Sequence, residues 1–157
     1  MKPRPRSPTS RTGGADHETA ARAIEALCAA DILNLKPGQQ RYTQLLNEDG
    51  GIIDDLMIGR PADPARQGML YIVVNAGTKD NDFALIQKTA DIDAELRRAD
   101  DRALIALQGP EAEAVIATII PEAVALTFMH FVRVEHPEHG RMIATRCGYT
   151  GEDGFEI

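Results

Sequence analysis

Tryptophan is absent from this 157-residue chain, and aromatic residues make up only 4% of it. A core without large aromatic side chains must rest on Ile, Leu, Val, Ala and Met, which a hydrophobic content of 43% can supply. Cysteine occurs twice, at Cys28 and Cys147. Two cysteines make no disulfide framework, and in an acidic chain they are expected to be reduced thiols in a cytoplasmic setting. No Gly-x-Gly-x-x-Gly occurs, so the fingerprint of a dinucleotide fold is missing. There is no secretory apolar region and no run long enough to span a membrane. Basic charge is in deficit: the formal net charge of −7 argues against general nucleic-acid binding through a basic face.

That charge is unevenly spread. Residues 1–14 hold Lys2, Arg4, Arg6 and Arg11, no acid, and no apolar residue after Met1. A stretch of Pro, Ser, Arg and Gly cannot contribute to a core and is expected to be a disordered basic tail. An organellar targeting peptide would share the Arg and Ser bias but should show an amphipathic apolar face, which is missing. Residues 15–157 have the length of about one domain.

Asp16 to Asp31 reads as a helix with Ile24, Leu27 and Cys28 on one stripe, ending before Pro37-Gly38. Arg41 to Asn47 and Ile52 to Ile58 read as strands of a β-hairpin turning at Glu48–Gly51. Leu70 to Asn75 is a further strand, followed by a helix around Asp82 to Lys88 with Phe83, Ile86 and Leu85 inward. Leu104 to Leu107 is a short strand, and Pro110 is placed to open a helix containing Val115, Ile116 and Ile119. Phe128 to Glu135 and Arg141 to Arg146 form a second hairpin about Pro137-Glu138-His139-Gly140. The expected class is α+β: mixed, largely antiparallel sheets with packed helices and no internal repeat.

One stretch organises the chemistry. In Gly50-Gly51-Ile52-Ile53-Asp54-Asp55-Leu56-Met57-Ile58 two glycines release an apolar strand interrupted by adjacent carboxylates. Neighbours on a strand point to opposite faces, so one aspartate meets whatever the inner face covers, and a buried carboxylate needs a partner or ligand. Arg146-Cys147-Gly148-Tyr149-Thr150-Gly151-Glu152-Asp153-Gly154-Phe155-Glu156-Ile157 repeats that grammar of glycines, polar turn and a carboxylate within an apolar segment.

Other features favour plainer readings. His136 and His139 flank a hairpin turn and His130 is near, which suits a solvated loop better than a zinc site. Gln108-Gly109-Pro110 reads as a helix cap, since one glycine falls short of a phosphate loop. Cys147 adjoins Arg146 but no histidine, so an ordinary thiol is the better reading. The acid-rich stretch Asp91 to Asp101 reads as a solvated helix end and loop.

Four motifs in order carry a resemblance: Gly-Gly-Ile-Ile-Asp-Asp-Leu; Leu70-Tyr71-Ile72-Val73-Val74-Asn75-Ala76; Ala106-Leu107-Gln108-Gly109-Pro110; and Gly-Tyr-Thr-Gly-Glu-Asp-Gly-Phe-Glu. Together with Leu35-Lys36-Pro37-Gly38-Gln39 and Arg41-Tyr42-Thr43 they resemble the aminomethyltransferase, or T-protein, of the glycine cleavage system. The resemblance runs from roughly Ala26 to Ile157 and covers the middle of a family member of ordinary length, so the chain reads as an incomplete folate-binding domain, with residues 15–157 as that partial domain.

The resemblance implies transfer of an aminomethyl group from the lipoyl arm of H-protein to tetrahydrofolate, yielding methylene-tetrahydrofolate and ammonia. Asp55 matches the family's central catalytic and folate-binding aspartate, Glu156 a glutamate set against the pterin, Tyr149 a folate-contacting tyrosine and Asn75 a pocket asparagine. Asp54 is expected to face away or support the turn, and Gly59 stands where some relatives carry a tyrosine. The segment beyond Ile157 that supplies further folate contacts in the family is not included here, so the chain alone is expected to bind folate weakly and turn over little. Neither a metal, a nucleic acid nor a membrane is implied. Two alternatives remain: a non-catalytic folate-binding module, whose Lys-Gly-Cys-Tyr-x-Gly-Gln-Glu signature differs from Arg-Cys-Gly-Tyr-Thr-Gly-Glu-Asp here, and the folate domain of a dimethylglycine or sarcosine dehydrogenase.

Overall fold

Alternation and turn chemistry build the first hairpin. Strand β2 (Gln40–Leu46) and strand β3 (Ile52–Gly59) run antiparallel, with a register shift between Leu45 and Leu46. At the turn, the Asn47 side-chain oxygen accepts from the Asp49 and Gly51 N–H groups at 3.1 and 2.7 Å, and Gly50 sits at φ +78°, a conformation that costs glycine no side-chain clash. The computed structural model describes residues 9–11, 16–89, 95–148 and 150–157. The chain divides into two compact units, Met1–Arg102 and Ala103–Ile157. The reason is that the apolar residues gather in two separate clusters.

In the first unit, β3 also pairs with β4 (Met69–Val74), and β4 pairs with β1 (Thr9–Arg11), which pairs with β5 (Glu95–Arg97). The sheet order among the described residues is β2-β3-β4-β1-β5, antiparallel throughout. Strand β1 lies inside the stretch expected to be a disordered tail. A ladder is made by backbone groups, so a segment without apolar side chains can still complete it; the remaining tail residues, 1–8 and 12–14, lie outside the described residues. Likewise β5 and its Arg97–Glu95 pair occupy part of the acid-rich stretch read as helix end and loop; residues 91–94 lie outside the described residues.

Helix α1 (His17–Glu25) starts at Asp16, whose side chain accepts from the Thr19 N–H at 3.2 Å. It stops well before Asp31 because its end groups are used elsewhere. The Glu25 carboxylate takes the Ile32 and Leu33 N–H groups at 2.6 Å each, and the Leu27 carbonyl accepts from Leu46 N–H at 2.8 Å. Helix α2 (Lys79–Thr89) buries Phe83 and Ile86, with Leu85 half-buried. Ala20, Ala21, Ile24, Ile32, Leu35, Leu45, Leu56, Ile58, Leu70, Ile72 and Ile86 form the core of this unit.

In the second unit the strands are β6 (Ala106–Gln108), β7 (His130–His136), β8 (Gly140–Arg146) and β9 (Gly154–Glu156), ordered β6-β9-β8-β7 among the described residues. Helix α3 (Ala112–Ala117) follows Pro110 as expected, but its buried stripe is Ala112 and Ile116, continued by Ile120. Val115 and Ile119 are exposed, because α3 ends at Thr118 and the chain turns into a short 3-10 segment, Pro121–Ala125. The anchor of this core is an aromatic after all: Phe155 is fully buried. Histidines shape the β7–β8 turn, where His136 Nδ1 accepts from the Glu138 and His139 N–H groups and the His136 and His139 rings stack at 4.6 Å. Among the described residues no helix is long and apolar enough to cross a membrane.

Candidate functional site

Strand parity decides what Asp54 and Asp55 meet. Leu56 and Ile58 of β3 are buried in the core of the first unit, and Asp54 shares their face. Asp55 and Met57 take the other face, together with their cross-strand partners Gln44 and Tyr42 on β2. Tyr42 is therefore a diagonal neighbour of Asp55. Its hydroxyl donates to Asp55 Oδ2 at 2.8 Å while the residue stays 51% exposed.

Asn75 reaches Asp55 because of where a ladder ends. Pairing of β3 with β4 stops at Leu56 with Val74, so Asn75 is the next residue along, released from the strand. Its side-chain amide donates to Asp55 Oδ1 at 2.6 Å, to Asp54 Oδ1 at 2.9 Å and to the Asp55 carbonyl at 3.3 Å. Asp55 and Asn75, two of the residues singled out from sequence, thus come together, with the Asp55 carboxylate held from two sides and half-buried at the surface.

Asp54 does not face away. Its Oδ1 accepts the Asp55 N–H at 2.8 Å as well as the Asn75 amide, and its Oδ2 accepts the Thr78 hydroxyl. The Thr78 hydroxyl first, then the Asp55 N–H and Asn75, hold the Asp54 carboxyl below the usual carboxylate range. Thr78 precedes α2 and its carbonyl accepts from Asn81 and Asp82 N–H at 2.9 and 3.2 Å. Asp82 is then turned inward: it is 1% exposed, and neither carboxylate oxygen has a hydrogen-bond partner among the described residues. Burial, then the negative charge of Asp54, pushes its pKa up to about 6.

Sequence reasoning did not assign Tyr42, Thr78 or Asp82. A signal existed for two of them. The hairpin register puts Tyr42 on the face of Asp55, and Asp82 stands four residues before the buried Ile86, on the same helix face. Nothing in the sequence marked the Thr78 hydroxyl as a carboxylate donor.

The second unit holds the other predicted residues. Glu156 is the last residue of β9, between Ala106 of β6 and Thr145 of β8, and is half-buried. Tyr149 lies outside the described residues. The turn leading to Glu156 is braced by two side chains. Gln108 donates to the Cys147 and Phe155 carbonyls at 3.1 and 3.3 Å, so its side chain braces this turn, while the Gly109 carbonyl of the same motif accepts from the Ala112 N–H at 2.9 Å where α3 begins. Gly148 and Gly154 leave the room it needs, since an added Cβ would come within 1.9 and 2.5 Å of the Gln108 amide group. Arg146 bonds Asp153, Glu113 at 2.6 Å, and the Val124 and Leu126 carbonyls at 3.3 and 3.1 Å, with its guanidinium 5.3 Å from the Phe155 ring centre. Arg146 in turn holds the Asp153 carboxyl below its ordinary range. Cys28 and Cys147 are unbridged, and burial pushes the Cys28 thiol up, away from thiolate reactivity.

Comparison with known proteins gives a consistent picture. Residues 14–157 match the family model described as GCVT N-terminal domain. The chain is 39% identical over 140 residues to the mitochondrial aminomethyltransferase of Homo sapiens, covering 85% of this chain and 34% of that protein. It is 36% identical over 140 residues to the aminomethyltransferase of Rubrobacter xylanophilus, covering 88% and 36%. Among solved structures, it is similar to the glycine cleavage system aminomethyltransferase T from Bartonella henselae, with TM-score 0.74 and 37% identity over 95% of this chain and 38% of that one. The chain spans about a third of the length of the curated relatives it matches.

Proposed function

The chain belongs to the GCVT N-terminal domain family, that of the glycine cleavage aminomethyltransferases, and from that premise we propose that it forms part of a tetrahydrofolate-dependent aminomethyltransferase. The full reaction takes an aminomethyl group from the lipoyl arm of H-protein, passes its carbon to tetrahydrofolate and releases ammonia. H-protein is the partner this reading requires, and the cytoplasmic setting belongs to the same proposal.

The observation that carries the reading is the Asp55 carboxylate, clamped by Tyr42 and Asn75 on an accessible face. An acceptor fixed in this way suits a heterocycle edge that presents N–H groups, and the exposed Tyr42 ring beside it offers a flat surface for stacking. Asp55 is the group whose charge would stabilise the cationic, iminium-like carbon of the transferred group, and its two donors hold it in place in advance. Tyr42 and Asn75 position that charge. Asp55 is also placed to relay a proton at its carboxylate. Glu156 supplies a second acceptor in the reading carried over from sequence, with Tyr149 as a further contact.

Calorimetric titration of the chain with tetrahydrofolate under reducing conditions tests this. Asp55→Asn keeps the shape and loses the charge, and is expected to weaken binding by roughly tenfold or more. Glu156→Ala is expected to weaken it as well. Wild-type binding left unchanged by Asp55→Asn would overturn the assignment.

A further inference from the structure

Behind Asp55 stand two more carboxyl groups, and only one set of hydrogen-bond donors serves them. A carboxylate offers about four acceptor positions. On Asp54, Oδ1 is taken by the Asn75 amide and the Asp55 N–H, and Oδ2 accepts the Thr78 hydroxyl. One position on Oδ2 remains. Asp82, more deeply buried, makes no hydrogen bond on either oxygen among the described residues, and the one hydroxyl near it, that of Thr78, is given to Asp54. An ionised carboxylate left this way carries the full cost of desolvation, whereas a protonated one has its own O–H to give.

The charged neighbours point the same way. Facing Asp82 from β3 are Asp54 and Asp55, both negative. On α2 and the segment after β5, Lys79 is paired with Asp100, and Arg98 with Asp80 and Asp100. On β5, Arg97 is paired with Glu95, and on α1 Arg22 with Glu18, while the Glu25 carboxylate is held by backbone N–H groups. No described cation therefore neutralises Asp82. Its place in the first turn of α2 favours an anion, but that effect is modest beside burial next to a like charge.

We propose that Asp82 is a positioning residue that shares one proton with Asp54, donating into the open position on Asp54 Oδ2 so that the pair carries a single negative charge. Asp54 then stays seated against Thr78 and Asn75, and the Asn75 amide stays in place to hold Asp55. Loss of the shared proton sets a second negative charge behind Asp54 and loosens the Asn75 bridge. The consequence for folate rests on the reading of Asp55 given above; the shared proton does not.

Carboxyl-carbon and side-chain amide NMR of the folate-free chain across pH 4 to 8 tests this in wild type, Asp82→Asn and Asp54→Asn. The wild-type Asp82 signal is expected to titrate with a midpoint near the value of about 6. Asp54 and the Asn75 amide are expected to inflect at the same pH. In Asp82→Asn both inflections vanish, because the amide donates to Asp54 at every pH. In Asp54→Asn the Asp82 midpoint falls by roughly one unit. An Asp82 midpoint in the ordinary carboxylate range, or an Asn75 signal indifferent to it, overturns the proposal. The wild-type spectra alone decide between these outcomes even where a variant fails to fold. Because no folate is present, failure here is separate from failure of the folate assignment.

Discussion

Replacing Asp82 by Asn is expected to stabilise the protein at alkaline pH and to do little in acid. In the folded chain the Asp82 pKa is raised from 3.8 to about 6, so each of these roughly two units is worth about 1.4 kcal/mol. Below the unfolded pKa both states keep the proton and nothing is lost. As pH rises through the interval, the unfolded chain ionises first and gains free energy that the folded chain does not. Above about 6 the cost has reached its full size, about 2–3 kcal/mol, and stays constant. The dependence is opposite to that of a salt-bridged aspartate, whose stabilisation is lost as pH falls. Asn carries no charge and can still donate to Asp54, so the stability difference between variant and wild type isolates this one titration. Urea unfolding of both proteins at several pH values from 4 to 8 measures it. The difference is expected to grow toward the variant by about 2–3 kcal/mol across that range. The second N–H of the Asn amide asks for an acceptor that the carboxyl O–H did not, but that cost is the same at every pH and moves only the offset. A difference that does not change with pH would refute the reasoning, since it would mean that Asp82 ionises alike in both states.

Two further predictions concern the second unit. Arg146→Met loses the guanidinium over Phe155, strands the Val124 and Leu126 carbonyls and unpairs Asp153 and Glu113, with an expected loss of about 1–3 kcal/mol in thermal or denaturant unfolding. Gly148→Ala displaces the Gln108 amide and its two carbonyl bonds, costing about 1–2 kcal/mol, and in a Gln108→Ala background the same substitution is expected to cost less, a coupling that a double-mutant cycle reads directly.

Much of the site was legible because strand parity and turn chemistry are local. The hairpin from Gln40 to Gly59, the turn at Gly50 and the strand ending before Asn75 all follow from alternation and glycine conformational freedom. Where the expectations failed, a non-local group had intervened. Glu25 captured the N–H groups of Ile32 and Leu33 and shortened α1, and backbone pairing with β4 and β5 drew Thr9–Arg11 into the sheet. The buried stripe of α3 rotated to Ala112 and Ile116, since a six-residue helix takes its orientation from the elements around it more than from its own pattern.

The sequence by itself determined the antiparallel α+β class and the family, and it singled out Asp55 and Asn75 one by one. Those features depend on residue type and on short spacing along the chain. Only the tertiary structure decided which of two adjacent aspartates faces outward with Tyr42, which is held by Thr78, and that Asp82 lies behind it without a donor. Hydrogen-bond supply is shared among groups some 20 to 28 residues apart, and no local pattern records which carboxyl receives the donors and which is left to keep a proton.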